Sequence, residues 1–200
     1  MSESKISEAN VPSAFIAALK ALSDWLETEK VPHATIGGVA VSLIAQPRAT
    51  QDIDAVIWLE EDRWTLFLAS SHKHGFAPRA SDALEFAKRA RVFLLQHQAS
   101  GISVDLSCGA LEFEREVIER ANTIVIGALR LRVATPEDLI IMKAIAHRPR
   151  DFADIESILD ANQSLDLERI RQQVGQFASL LEAPEMLNNL EAILSGHRSL

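Results

Sequence analysis

Two aspartates one residue apart in an apolar segment constrain this chain more than any other feature. Asp52 and Asp54 alternate with Ile53 and Ala55, and the segment 52–59 is otherwise apolar, which predicts a strand. Residues i and i+2 of a strand point to the same face, so the two carboxylates lie side by side. Charge at such positions is costly unless something pairs with it. The segment therefore requires a partner for its two carboxylates.

A divalent cation is the usual partner for two neighbouring carboxylates. Like charges at close range raise each other's pKa, and Mg²⁺ favours one or two carboxylates together with substrate phosphates. Gly37 and Gly38 are separated from Asp52 by a spacer of thirteen residues and open a predicted helix that Pro47 ends. A helix N-terminus presents backbone N–H groups on which a phosphate can bind. The two features together predict a nucleoside triphosphate site that uses Mg²⁺ or Mn²⁺.

A third carboxylate stands in a second segment of alternating polarity. Residues 102–107 place Ser103, Asp105 and Ser107 on one face of a predicted strand and the apolar residues on the other. Asp105 is therefore a candidate third site residue that could hold a metal or accept a proton from a hydroxyl. The alternative is local, since Asp105 could cap a strand end or pair with an arginine.

The order of helix and strand signals predicts an α/β fold with mixed elements (α+β). We expect a flexible N-terminus over residues 1–11, a core over 12–135 and a helical region over 136–200 that packs on the core. The last region begins with a strong helix start, in which Thr135 is the N-cap, Pro136 the first helical residue and Asp138 the third. The predicted helices of the core lie over 12–30, after Gly37, from Glu60, and over 111–121. The predicted strands lie over 34–36, 52–59, 92–95 and 102–107, and two more lie around Gly127.

Composition limits the class of protein. The 200 residues carry a formal net charge of −8 with a pI of about 5.3, which argues against a broad nonspecific nucleic-acid surface and leaves a local basic cleft open. Cys108 is the only cysteine, so no internal disulfide forms and a reducing compartment is expected. No apolar run has the length of a membrane helix, and no signal core precedes the first helix. The prediction is a cytoplasmic protein without a membrane partner.

The glycine pair and the two aspartates resemble the signature of the DNA polymerase β-type nucleotidyltransferase superfamily. A second group of residues narrows the resemblance to the AbiEii/AbiGii-type toxin nucleotidyltransferases, which carry a later helix with a lysine, then an arginine and an Arg/Lys-Asp pair. The residues that match are Arg48 and Thr50 before the aspartates, and Lys143, Arg148, Arg150 and Asp151 roughly ninety residues later. The resemblance covers about residues 34 to 160.

The resemblance implies a nucleotidyltransferase-type mixed sheet flanked by helices and an enzyme that moves an NMP from an NTP to an acceptor hydroxyl. Asp52, Asp54 and Asp105 would be the catalytic and metal-binding residues. The implied acceptor is RNA such as tRNA, and a cognate antitoxin is the implied protein partner. The implied nucleotide-binding residues are Gly37, Gly38, Ser42, Arg48, Thr50, Lys143, Arg148, Arg150 and Asp151.

Two other functions remain open at this point. The same fold could modify a small molecule, as antibiotic-modifying nucleotidyltransferases do, and the acidic pI favours that acceptor over RNA. A non-catalytic member that only binds nucleotide, or acts like an antitoxin, is the third alternative, although the three carboxylates are all present. For the later basic residues the local alternative is that Arg150, Asp151 and Asp154 form ion pairs on a helix surface.

Overall fold

The fold is an eight-stranded mixed sheet with helices, in a computed structural model that describes residues 4–6 and 13–197. The strand order across the sheet is β1-β7-β8-β2-β3-β6-β5-β4. The strands are β1 (Ser4–Ile6), β2 (His33–Ile36), β3 (Asp52–Ile57), β4 (Phe76–Pro78), β5 (Val92–His97), β6 (Ser103–Cys108), β7 (Asn122–Ile126) and β8 (Leu129–Val133). The predicted α/β class is confirmed.

The helices follow the predicted order in most of the chain. Short 3-10 turns at Glu61–Arg63 and Ser71–His74 flank α3. The helices are α1 (Ser13–Thr28), α2 (Gly37–Ile44), α3 (Trp64–Ser70), α4 (Ala83–Ala90), α5 (Glu112–Arg120), α6 (Pro136–Ala146), α7 (Pro149–Ala161), α8 (Leu167–Leu180) and α9 (Glu185–His197). Within the part of the chain that the structure describes, no helix is both long enough and apolar enough to cross a membrane.

The chain divides into two compact units. The first comprises Met1–Ala40 and Arg48–Ala134, and the second comprises Val41–Pro47 and Thr135–Leu200. We predicted from the sequence that the core ends at residue 135, one residue later than the first unit does, and that the segment 41–47 belongs to the core. The segment 41–47 belongs to the second unit because it forms hydrogen bonds with α7 and the residue that follows it. Asn162 Nδ2 donates to the Ile44 carbonyl (3.3 Å), and the Gln46 N–H donates to the Ser157 hydroxyl (3.3 Å).

An aromatic cluster forms the core on one face of the sheet in the first unit. The Trp25 ring stacks on Phe67 with centroids 4.3 Å apart, and Phe67 contacts Phe93 of β5 at 5.6 Å. Trp25 is fully buried, and its indole N–H donates to the Ser70 hydroxyl at 2.9 Å, so the polar end of the ring is satisfied. Phe93 alternates with Leu94 along β5, and therefore the cluster leaves the Leu94 face to other residues.

The second unit is built by the last four helices. The Thr135 hydroxyl accepts a hydrogen bond from the Asp138 N–H at 3.2 Å, which confirms the predicted N-cap of α6. The Asp138 carboxylate is fully buried and receives the Arg169 guanidinium of α8 at 2.6 Å. Apolar residues of α7, α8 and α9 fill the core, namely Ile155, Ile158, Ile170, Val174, Leu190 and Leu194.

Several elements differ from the sequence prediction. Ser4–Ile6 pairs in parallel with β7, within the N-terminus that we expected to be flexible; the rest of residues 1–11 lies outside the described residues. The strand β4, with three residues, and the helix α4, with eight, were not predicted, because both are short and α4 buries only Ala87. The chain after Arg148 forms a separate helix, α7, that starts at Pro149, where we expected the earlier helix to resume.

Candidate active site

The register of two parallel strands places the three candidate carboxylates on one face of the sheet. Asp54 of β3 is paired with Asp105 of β6, and Asp52 is paired with Ser103. Paired residues of neighbouring strands point to the same face, and so do residues i and i+2 of one strand. The intervening residues Ile53 and Val104 are fully buried on the other face. The structure therefore brings the carboxylates of Asp52, Asp54 and Asp105 to one end of one sheet face.

The glycine turn packs directly against this carboxylate strand. Ile36 at the end of β2 is paired with Asp54, so α2 begins beside the aspartates. Gly37 has a φ of +65°, and a Cβ atom there would lie 2.7 Å from the Asp54 Cγ. A Cβ atom at Gly38 would lie 2.7 Å from the Thr50 hydroxyl oxygen. Glycine is required at Gly37 by backbone conformation and by space, and at Gly38 by space.

The residues that lead into β3 also belong to the site. The Thr50 hydroxyl lies 3.3 Å from the Asp52 carboxylate and 3.2 Å from the Asp52 carbonyl oxygen, and it can donate its single proton to either of them. Arg48 is exposed, and a Cβ atom at Gly38 would lie 2.9 Å from its guanidinium. A basic and a hydroxyl side chain thus lie beside the start of α2, where a phosphate can accept hydrogen bonds.

Asp105 forms an ion pair with an arginine, which was the local alternative for this residue, and the arginine is Arg79. The guanidinium of Arg79, which follows β4, donates to the Asp105 carboxylate, and both side chains are about one-third exposed (33% and 31%). Burial raises the pKa of Asp105 above its ordinary value, Arg79 opposes this rise, and the charge of Asp52 adds to it. No sequence signal pointed to Arg79, because β4 was itself not predicted.

The residues present fit a divalent cation. Among the described residues, no three His, Cys, Asp or Glu side chains lie close enough together to form a complete ligand set. Asp52 and Asp54 are neighbours on one face, however, and Mg²⁺ needs only one or two carboxylates when substrate phosphates supply further oxygens. Oxygen donors also match the ligand preference of Mg²⁺ and Mn²⁺. The metal role of Asp52, Asp54 and Asp105 stays a prediction.

Lys143 and Asp151 lie in the second unit and face one another. The Lys143 ammonium is 3.0 Å from the Asp151 carboxylate and 2.6 Å from that of Asp154, and all three residues are buried. Arg148 donates to Asp151 from its backbone N–H (3.2 Å) and its side-chain Nε (2.7 Å). Burial alone would raise the pKa of Asp151, but hydrogen bonds from Arg148 and Lys143 outweigh it and lower the pKa. A contact of these residues with nucleotide stays a prediction.

Two further candidates have distinct environments. Ser42 lies within α2, about one helical turn after Gly38, and is partly exposed. Arg150 is exposed in the first turn of α7. Their predicted roles in nucleotide binding are not tested by their positions.

The family to which this chain belongs shows that it is a protein of the nucleotidyltransferase class. A family model described as a nucleotidyltransferase of unknown function (DUF6036) matches residues 14–191. The chain belongs to this family, and the predicted superfamily and enzyme class are confirmed. A search of curated protein sequences finds no match.

Solved structures of three proteins share the fold. An antigenic nucleotidyltransferase-like protein from Paracoccidioides brasiliensis has a TM-score of 0.54 at 18% identity, with 92% of this chain and 95% of that chain covered. The antibiotic-resistance factor ANT(2'')-Ia has a TM-score of 0.55 at 20% identity, covering 87% and 97%. The lincosamide antibiotic adenylyltransferase LnuA has a TM-score of 0.52 at 14% identity, covering 76% and 99%. These likenesses establish the fold and do not identify an acceptor.

Proposed function

We propose that the chain is a metal-dependent enzyme that transfers an NMP from an NTP to an acceptor hydroxyl and releases pyrophosphate. The observation that carries this proposal is the paired position of Asp54 and Asp105 on β3 and β6, with Asp52 on the same face. Membership of a nucleotidyltransferase family supports the reaction class.

Each part of the site has a role in this reaction. Asp52, Asp54 and Asp105 would hold the metal, which when bound would neutralise charge on the triphosphate. The start of α2 at Gly37 and Gly38 holds phosphate oxygens, and Arg48 donates to them. Asp105 accepts the proton of the attacking hydroxyl. The acceptor oxygen forms a bond to the α-phosphorus while the bond from that phosphorus to the bridging oxygen breaks, and pyrophosphate leaves with the electron pair.

Residues outside the carboxylate face are assigned further roles. Ser42, Thr50, Lys143, Arg148, Arg150 and Asp151 are proposed to assist nucleotide binding. Thr50 is the best supported of them, since its hydroxyl contacts the Asp52 carboxylate and also lies next to Gly38 at the start of α2. Lys143 and Asp151 are the least directly supported, since their charged groups pair with one another.

For the acceptor we propose RNA such as tRNA, with the chain as the toxin of a toxin–antitoxin pair. The support is the match of Lys143, Arg148, Arg150 and Asp151 to the AbiEii/AbiGii-type pattern. A small-molecule acceptor is the second candidate. It is favoured by the fold shared with ANT(2'')-Ia, described as an antibiotic-resistance factor, and with LnuA, described as a lincosamide adenylyltransferase.

One labelling experiment separates these functions. Purified protein is incubated with each of the four α-labelled NTPs, Mg²⁺ or Mn²⁺, and either total cellular RNA or a soluble cell extract. The Asp54→Asn variant is the control. Label that enters RNA only with the unmutated protein would support the RNA acceptor and would also identify the nucleotide.

The other outcomes favour the alternatives. Label on a small molecule or a protein would show that the acceptor is that molecule and not RNA. Metal-dependent NTP binding without transfer to any fraction would support a non-catalytic nucleotide-binding or antitoxin-like member. A second measurement is growth after induced expression: arrest that depends on Asp54 would favour a macromolecular target and hence a toxin.

A further inference from the structure

Arg79 spans a neighbouring strand to reach the site. Its backbone N–H continues the ladder between β4 and β5 by donating to the Leu94 carbonyl at 2.9 Å, and Leu94 is in turn paired with Asp105. The backbones of Arg79 and Asp105 are therefore two strand spacings apart, about 10 Å. The Arg79 side chain must extend over β5 for its guanidinium to bind the Asp105 carboxylate. Arg79 is thereby a fixed cation at the edge of the carboxylate face.

The Arg79 guanidinium engages the Asp105 carboxylate directly. A guanidinium is always charged and binds carboxylates through fixed hydrogen-bond geometry, so it engages the oxygens that a divalent ion would use. It also adds positive charge beside the position of that ion, and like charges repel most strongly where water is partly excluded. Both effects oppose the binding of a metal to Asp105.

We propose that Arg79 and a divalent cation compete for Asp105, which makes Arg79 a positioning residue of the site. The inference rests on the proposed metal-dependent function. Arg79 would neutralise Asp105 in the absence of metal, and Asp105 would have to release the guanidinium in order to hold a metal. Removing the charge of Arg79 therefore strengthens metal binding, whereas removing a carboxylate ligand weakens it.

The test is a titration of the nucleotide-free protein with Mn²⁺, followed by electron paramagnetic resonance of the free ion. We expect Arg79→Met to bind Mn²⁺ at least about fivefold more tightly than the unmutated protein, because an attached competitor and a repulsive charge are both removed. Arg79→Lys keeps a cation and should stay close to the unmutated affinity. Equal or weaker binding by Arg79→Met, in a protein with an unchanged urea unfolding midpoint, would overturn the inference.

A matched control and a second carboxylate variant complete the design. Arg89→Met removes an exposed arginine of α4 that pairs with Asp82 at 3.3 Å, and it should leave Mn²⁺ affinity unchanged. Asp54→Asn separates this inference from the proposed function. If Asp54→Asn weakens Mn²⁺ binding and Arg79→Met does not strengthen it, only the competition is wrong. If Asp54→Asn has no effect on Mn²⁺ binding, the proposed metal site is wrong and the competition is overturned with it.

Discussion

Asp54 and Asp105 occupy paired positions on the adjacent parallel strands β3 and β6. Fifty residues separate them in the sequence, and the strand register alone brings their carboxylates to the same face. Gly37 packs against the first of these carboxylates and Arg79 binds the second.

Replacing Asp54 by Asn should abolish nucleotide transfer without unfolding the protein. The amide keeps the shape of the side chain but loses the charge that holds the metal, so we expect turnover to fall at least about a hundredfold. Label transfer and the urea unfolding midpoint are the measurements. Asp62→Asn, at an exposed position of the turn Glu61–Arg63, is the matched control and should keep full activity. Unchanged turnover in both Asp52→Asn and Asp54→Asn would contradict the proposed site.

Adding a methyl group at Gly38 should disturb Thr50 and weaken NTP binding. The new Cβ would lie 2.7 Å from the Thr50 hydroxyl oxygen and 3.1 Å from its Cβ, so Thr50 must move. Overpacking of this kind costs about 1–3 kcal/mol of stability. Gly196→Ala is the matched control, because nothing lies within 4 Å of a Cβ there. It should stabilise the helix by up to about 1 kcal/mol. Equal effects of the two substitutions on NTP affinity would refute the role of Gly38.

Substituting Lys143 by Met should destabilise the second unit. It would leave the buried carboxylates of Asp151 and Asp154 without their shared cation, a change that typically costs about 3–5 kcal/mol. Urea unfolding measures this loss. Lys20→Met is the control, because its pair with Asp24 is exposed and should contribute little. If Lys143→Met instead unfolds at the same urea concentration and binds NTP more weakly, the substrate contact is the better account of this lysine.

Stability should depend on Cys108 at alkaline pH. Burial raises the pKa of this thiol from its ordinary value of 9.0 to about 12. The unfolded thiol loses its proton first, so the stabilising effect is complete below pH 9 and is lost as the pH rises from 9 to 12. The loss is about 1.4 kcal/mol per pH unit within that window.

The measurement is the pH slope of the unfolding free energy in this window. Cys108→Ala should show a shallower fall than the unmutated protein, and slopes are compared because the substitution also changes packing. Iodoacetamide at pH 8 should modify Cys108 only as fast as the protein opens, because the folded side chain is 3% exposed. Parallel slopes in the two proteins would show that Cys108 does not titrate as proposed.

Local features of the site could be predicted because their causes are local. The shared face of Asp52 and Asp54 follows from the two-residue period of a strand, and the helix start at Thr135 follows from its hydroxyl and Pro136. The glycine pair likewise indicated a helix start beside the aspartates, and the structure gives α2 from Gly37. Strand β4 and helix α4 were missed because they are short and bury few large apolar residues.

The sequence by itself determined the carboxylates, the glycine turn and the alternation that makes Asp105 a candidate. It left open whether Asp105 meets a metal or an arginine, and whether the later charged residues meet phosphate or one another. Only the tertiary structure decided that Arg79 reaches Asp105 over β5 and that Lys143 lies between Asp151 and Asp154. The physical reason is that ion pairs across strands or helices depend on register and packing, which hydrophobic periodicity along one segment does not specify.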